Sequence, residues 1–259
     1  MLDKIIAEKK RYLAGLDQKN LMKKWERVLE DGLLCKDFQG AIRKPGEISL
    51  IAEIKKASPS AGILKKNLDV GKMAEIYQKA GADAISVLTE RKFFSGSEND
   101  LSKVRETVSL PILRKDFIIE EFQIYESKIL GADCILLIVA ILSKNKLQKF
   151  LQLTQNLGVQ ALVEVHQLKE LESALDSGAD TIGINNRNLK NLKVSLKTTE
   201  SLVRLIPKRV TKVAESGISS YREIKHLRDF GVDAILVGEA LIKNLNPAAK
   251  IKELLGKVK

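Results

Sequence analysis

Gly81-Ala82-Asp83-Ala84, Gly131-Ala132-Asp133-Cys134, Gly178-Ala179-Asp180-Thr181 and Gly231-Val232-Asp233-Ala234 are four copies of one signature, recurring at intervals of about fifty residues. That period is too long for one strand–helix unit and right for two. In each copy the Gly ends a helix-like segment, the Asp opens the next element, and an apolar run of β character follows: Ile85 to Leu88, Ile135 to Val139, Ile182 to Ile184 and Ile235 to Val237. These read as even-numbered strands. Runs of the same character between them, Ile48 to Ile54, Pro111 to Leu113, Gln160 to Val165 and Thr211 to Ala214, supply the odd ones. The connecting segments Val70 to Lys79, Glu120 to Leu130, Lys144 to Leu157, Leu168 to Ser177 and Tyr221 to Phe230 carry apolar residues at spacings of three and four, as helices do. Eight strands alternating with helices predict an α/β fold, a closed parallel (β/α)8 TIM barrel; a doubly wound open sheet is the alternative, and the even repeat favours closure.

Residues 1–259 are expected to form a single (β/α)8-barrel domain, with residues 1–46 as an N-terminal helical extension. In that extension Leu2, Ile5, Ile6 and Leu13, then Leu21, Trp25, Val28 and Leu29, recur at helical spacing. A plug under the barrel floor and a cover over its mouth are both compatible with this pattern.

Composition bounds the function classes. Of 259 residues, 44% are apolar and 30% charged, ordinary for a folded protein with a large core. The net charge of +11 admits nucleic acid, anionic lipid or an anionic small substrate. No basic run is interleaved with aromatics, and aromatics make up only 5%, so platforms for stacking bases are poorly supplied and no nucleic-acid partner is expected. Cys35 and Cys134 lie far apart and suggest neither a disulfide framework nor a zinc site. Met1 to Leu16 lacks the apolar core of a signal peptide, and the longest apolar run, Cys134 to Leu142, is too short to cross a bilayer. A cytoplasmic protein without a membrane partner is expected.

Side chains two apart on a barrel strand share a face. In the first strand Leu50, Ala52 and Ile54 suit the helix layer, which points Ile51, Glu53 and Lys55 inward and upward. By the same alternation the third strand offers Leu113 and Lys115, the fifth Leu162 and Glu164, the sixth Thr181, Gly183 and Asn185, and the seventh Val213 and Glu215. Two lysines, three glutamates and an asparagine thus converge on the rim where barrel enzymes work, more than charge balance requires. His166 lies beyond the fifth strand's end and reads as a surface group; His226 falls within a helix. Neither has the partners of a nucleophilic triad or the spacing of a metal site. Two glycine turns, Ser216-Gly217 before Ile218-Ser219 and Gly238-Glu239 before Ala240-Leu241, precede helix N-termini whose unpaired N–H groups suit a phosphate. Glu239 fits that cradle only if its carboxylate points away.

The strings Ala52-Glu53-Ile54-Lys55-Lys56-Ala57-Ser58-Pro59-Ser60, Ser86-Val87-Leu88-Thr89-Glu90, Pro111-Ile112-Leu113-Arg114-Lys115-Asp116-Phe117, Leu162-Val163-Glu164-Val165-His166, Gly183-Ile184-Asn185-Asn186-Arg187 and Ala214-Glu215-Ser216-Gly217-Ile218, with Asp37-Phe38-Gln39-Gly40-Ala41 in the extension, closely resemble the indole-3-glycerol-phosphate synthase family of tryptophan biosynthesis. The resemblance spans essentially the whole chain. It implies a phosphosugar substrate, 1-(2-carboxyphenylamino)-1-deoxyribulose 5-phosphate, closed to an indole with loss of carbon dioxide and water and without a cofactor. Lys115 then takes the general-acid position and Glu164 the general-base position. Lys55 binds the anionic substrate and could share the acid work; Glu53 and Asn185 orient hydroxyls and the reacting carbon; Glu215 holds the lysines. Ser58, Ser216, Gly217 and Gly238 surround the phosphate. Phe94, Phe117, Arg187 and Leu236 line the anthranilate side, ordinary core packing being the alternative for both phenylalanines. Asn188, where the family more often has Asp, and Ser95 to Asp100 depart from the pattern.

Two rival readings remain: another phosphosugar barrel using Lys115 or Lys55 as a Schiff-base nucleophile, and a basic barrel that binds without catalysis.

Overall fold

The Asp of the repeated signature ties neighbouring strands together at the bottom of the molecule. In the computed structural model, which describes residues 1–30, 32–188 and 192–257, the barrel strands are β1 (Ser49–Ile54), β2 (Ala84–Leu88), β3 (Ile112–Lys115), β4 (Cys134–Ile138), β5 (Gln160–Val165), β6 (Thr181–Asn185), β7 (Thr211–Glu215) and β8 (Ala234–Val237). Asp83 accepts the Leu50 N–H from β1, Asp133 the Ile112 N–H from β3 and Asp233 the Lys212 N–H from β7, each at 2.8 Å. The backbone carbonyls of Asp133, Asp180 and Asp233 receive the N–H groups of Gln160, Thr211 and Ser49, the first residues of the following strands. One residue type thus pins a strand to the one before it and the one after it. Asp180 departs from the set, its side chain being exposed. The preceding Gly81, Gly131, Gly178 and Gly231 all have φ between 85° and 102°, left-handed backbone that ends each helix and that a β-carbon would strain.

Every strand pairs in parallel with its chain neighbours, and β1 pairs with both β2 and β8, so the sheet closes as a (β/α)8 TIM barrel. The expected strands are all present, with ends moved by one or two residues. The third begins later than expected, at Ile112, and runs on to Lys115. The expected helices are likewise present, including Val70–Ala80, Lys144–Leu157 and Leu168–Asp176. Leu50, Ala52 and Ile54 pack in the layer between sheet and helices, while Ile51, Leu113, Leu162 and Val213 fill the interior. The apolar run from Cys134 is β4 followed by a 3-10 turn, Val139–Ile141.

The extension does both things its pattern allowed. Helix α1 (Leu2–Ala14) lies over the mouth: Met1, Leu2 and Ile5 line the cavity there, and buried Lys9 reaches buried Asp116, just past β3, at 2.7 Å. Helix α2 (Gln18–Glu30) stacks Trp25 on Phe122, ring centroids 5.1 Å apart. Helix α3 (Phe38–Ile42) closes the floor, where fully buried Phe38 and Ile42 meet Ile51, Ala84, Cys134 and Ala234. Gln39 fastens the plug by donating to the Asp180 carbonyl and to Thr211 Oγ1, both at 3.0 Å.

Asp133 joins these layers, since its carboxylate also accepts the Lys36 N–H at 2.7 Å and pairs with Arg105 at 2.6 Å. Removing it leaves buried donors unpaired. Asp133→Ala is expected to cost about 3 kcal/mol, and Asp180→Ala less than about 0.5 kcal/mol, measured as the change in urea-unfolding free energy.

Candidate active site

Two adjacent basic residues on β3 point opposite ways, as the strand's two-residue period demands. Arg114 turns outward into a buried network with Glu126 at 2.7 Å, Thr89 at 3.1 Å and Ser127 at 3.1 Å. Lys115 turns inward, where its Nζ lies 2.9 Å from Glu164 Oε2 and 2.8 Å from Glu215 Oε2. Lys55 Nζ sits 2.7 Å from Glu53 Oε1 beside them. The rim is therefore built from β1, β3, β5 and β7, with Asn185 contributed by β6.

These groups open into a cavity of about 500 Å³, within the range of small-molecule sites. All the candidate residues line it: Glu53, Lys55, Ser58, Phe94, Lys115, Phe117, Glu164, Asn185, Arg187, Glu215, Ser216, Gly217, Leu236 and Gly238. Phe94 and Phe117 lie 6.2 Å apart on one wall of the cavity, and Phe117 also packs on the interior core. Glu90 holds the loop that carries Phe94 by accepting the N–H groups of Lys92, Phe93 and Phe94. Past it, Ser97 caps the helix Glu98–Thr107, which gives the departing segment Ser95 to Asp100 an ordinary helix start.

Burial decides the electrostatics. It disfavours charge on Lys115, but Glu164, Glu215 and Glu53 outweigh it and hold the ammonium well above the usual lysine range. Burial likewise pushes Glu164 up, yet Lys115, His166 and the Asn185 amide bring it below the ordinary glutamate range. For Glu215 burial prevails, reinforced by the neighbouring Glu164 charge, and the carboxyl is raised to about 7 despite Lys115. Two carboxylates sharing one lysine thus separate into a firm anion and a group that takes up a proton near neutrality.

Space for them comes from missing side chains. A β-carbon at Gly183 would overlap Glu215 Oε1, and one at Gly238 would overlap Glu53 Oε1. Neither glycine has left-handed backbone, so both are needed for room.

The anion cradle differs from expectation at one end. Helix Tyr221–Asp229 is closed by its own capping box: Ser220 Oγ accepts the Glu223 N–H, and Glu223 accepts the Ser219 and Ser220 N–H groups. The box satisfies two of the N–H groups at this end, those of Ser220 and Glu223, and the β7 side also offers the Ser216-Gly217 turn, with φ of 68° and 77°. The β8 side retains the opening turn of Glu239–Ile242, headed by Gly238, whose first N–H groups lie outside the intrahelical ladder. Glu239 lines the cavity together with its partners, Lys243 at 2.6 Å and Arg187 at 3.8 Å, so its charge is met by two cations there. Asn188 bonds through its backbone with Lys193 and Leu192.

Residues that sequence reasoning passed over also meet here. Asp116 and the α1 residues Met1, Leu2 and Ile5 are the main ones; Asp116 stands beside Lys115 in a string already singled out, but α1 reaches the mouth only through tertiary packing. His166 requires correction. Rather than a surface group, its side chain is 13% exposed and lies 3.4 Å from Glu164 and 3.2 Å from Glu170. His226 is on its helix as expected, paired with Glu200 at 2.9 Å.

The sequence model of the family described as indole-3-glycerol phosphate synthase matches residues 2–254. The chain belongs to the indole-3-glycerol phosphate synthase family. It is 46% identical over 261 residues to an indole-3-glycerol phosphate synthase of Thermoanaerobacter pseudethanolicus, covering 100% of this chain and 98% of the relative. It is 48% identical over 255 residues to one of Acetivibrio thermocellus, covering 98% of each. Among solved structures, 3-hexulose-6-phosphate synthase of Salmonella typhimurium superposes with a TM-score of 0.65 at 13% identity, over 81% of this chain and 98% of that one, a likeness of fold alone. Membership of the synthase family makes the chain a lyase of tryptophan biosynthesis.

Gly183→Ala is expected to push Glu215 off Lys115 and lower turnover by about a hundredfold with the fold retained; unchanged kinetics would show that this space is not used. The Glu215 carboxyl, followed by ¹³C NMR, is expected to titrate near pH 7. Because the folded state keeps this proton above the pH at which the unfolded chain releases it, the associated stability is full below the ordinary glutamate pKa and is lost as pH rises through about 7.

Proposed function

We propose that the cavity closes 1-(2-carboxyphenylamino)-1-deoxyribulose 5-phosphate to indole-3-glycerol phosphate, with Lys115 as general acid and Glu164 as general base. The observation that carries the reading is a buried, firmly charged lysine shared by two carboxylates, flanked by an aromatic wall and an anion cradle. A proton held this tightly passes to an atom that gains negative charge in place, as a ketone oxygen does when the arene carbon attacks. Loss of carbon dioxide restores the ring. The hydroxyl then leaves as water with a proton from Lys55, and Glu164 removes the proton from the adjacent ring carbon; an ionised carboxylate suffices because a proton beside an iminium is acidic. Lys55 binds the substrate's anionic end, Glu53 and Asn185 orient its hydroxyls and reacting carbon, and Glu215 holds Lys115.

Ser58, Ser216, Gly217 and Gly238 would surround the phosphate, with Phe94, Phe117, Arg187 and Leu236 against the anthranilate ring. The small phosphosugar is then the partner, and the cytoplasm the expected setting; no described helix is long and apolar enough to cross a membrane. A Schiff-base mechanism needs a neutral amine, and the double ion pair on Lys115 works against one.

Indole fluorescence on adding the carboxyphenylamino sugar to purified protein tests the reading directly. Lys115→Ala and Glu164→Gln are expected to lower turnover by at least about a hundredfold while circular dichroism stays that of the wild type. Near-wild-type rates in either variant would remove that residue's chemical role. A borohydride-trapped adduct at Lys115 or Lys55 would favour the Schiff-base barrel. Steeply salt-dependent nucleic-acid binding without turnover would favour the binding barrel.

A further inference from the structure

Glu164 is approached from two sides, and Lys115 occupies only one. Glu164 Oε2 accepts from Lys115 at 2.9 Å, while Oε1 lies 3.4 Å from His166 Nε2. That nitrogen is sealed from water and has no aligned hydrogen-bond partner. The opposite ring nitrogen, Nδ1, lies 3.2 Å from Glu170 Oε2, which also accepts the His166 backbone N–H at 2.7 Å. Gln167 donates to the other Glu170 oxygen at 3.0 Å. An imidazole with a carboxylate at each edge is favoured as the cation, both nitrogens then donating. Burial opposes that charge, but Glu170 and Glu164 overcome it and His166 is raised above the ordinary histidine range.

The need for such a group follows from the sharing of Lys115. Glu164 and Glu215 both contact its ammonium, at 2.9 Å and 2.8 Å, so the lysine alone does not choose which carboxylate stays ionised. His166 makes its close contact with Glu164 and breaks the tie. The charged and titratable groups facing this pair are Lys115 from β3, Glu215 from β7, Glu53 from β1 and Glu170 from the helix Leu168–Asp176. Asn185 adds a neutral amide from β6, and the turn Val139–Ile141 packed against β5 carries only apolar side chains.

We propose that His166, oriented by Glu170, is a positioning residue for the ring-closing reaction, holding Glu164 ionised and aimed from the side opposite Lys115. This rests on the reading of Glu164 as general base. Withdrawing the imidazolium makes Glu164 easier to protonate, so the acidic limb of the kcat/KM profile moves to higher pH. Neutralising Glu170 makes His166 easier to deprotonate, but the acidic limb lies below the ordinary glutamate range, where the imidazole still carries its charge, so the limb does not rise.

The test combines pH–rate profiles with the carboxyphenylamino sugar and imidazole NMR on the intact protein, whose two histidines are separated by His226→Gln. His166→Leu is expected to raise the acidic limb by about one pH unit, whereas Glu170→Gln is expected to lower the pH at which the imidazole titrates and to leave the limb no higher than in the wild type. His166→Gln, which keeps an N–H at similar reach but no charge, is expected to restore kcat on the plateau and leave the limb displaced. In Glu164→Gln the His166 imidazole is expected to titrate at lower pH than in the wild type. If His166→Leu does not fold, the His166→Gln profile and the NMR titration decide. Acidic limbs of the His166 variants coincident with wild type, in a protein that Glu164→Gln inactivates, would overturn this inference and leave the base assignment standing. Full turnover by Glu164→Gln would overturn the base assignment and this inference with it.

Discussion

Lys115 Nζ stands between Glu164 and Glu215 on the inner wall of the cavity, and the rest of the barrel's upper half answers to that arrangement. Moving charges from water into a protein interior costs several kcal/mol apiece unless partners meet them at hydrogen-bond distance. One cation against two carboxylates leaves the cluster short of positive charge. The structure meets the shortfall in two ways. Glu215 gives up part of its acidity, rising to about 7, and His166 brings a second positive group against Glu164. What results is a pair of carboxylates held apart in protonation although they touch the same lysine.

Holding side chains to such tolerances is a matter of the scaffold. The strands form a closed ring without edges, and the repeated Asp residues tie their lower ends to one another through both side chain and backbone. Phe38 and Ile42 fill the floor, so the interior packs as a core from the bottom up, with small hydroxyls such as Ser86 and Thr211 below and charged groups gathered at the rim. Gly183 and Gly238 show how close the fit is, since a single methyl at either would occupy the volume of a carboxylate oxygen. The same strand alternation that points Lys115 inward to the cavity sends Arg114 outward into a buried network, so neighbouring residues of like charge serve different surroundings.

The extension links floor and mouth. Its α3 end plugs the ring, its α1 end covers the cavity, and the buried Lys9–Asp116 pair ties the cover to the residue next to Lys115. With 46% to 48% identity to synthases over nearly their full length, this arrangement belongs to an enzyme whose family is plain from sequence and whose local electrostatics are its own to explain.

The fold was legible in the chain because its signal is local and repeated. Gly at a left-handed helix end, Asp at a strand start and an apolar run after it are each set by backbone sterics and burial within a few residues, and four copies at double-unit spacing leave little besides a barrel. The candidate rim was legible for the same reason, since a period of two assigns Glu53, Lys115, Glu164, Asn185 and Glu215 to one face. Ser220 and Glu223 were also readable as a capping box, which occupies two of the N–H groups at the helix end expected to receive phosphate. His166 was beyond sequence reasoning: its character depends on Glu170 folding back one helical turn and on Glu164 lying behind it. So too were the double role of the extension and the space at Gly183 for Glu215, a side chain from a different strand. Sequence by itself determined which residues face inward, because that follows from strand geometry; only the tertiary structure decided which inward groups share a proton, because that depends on distances between strands and on the exclusion of water.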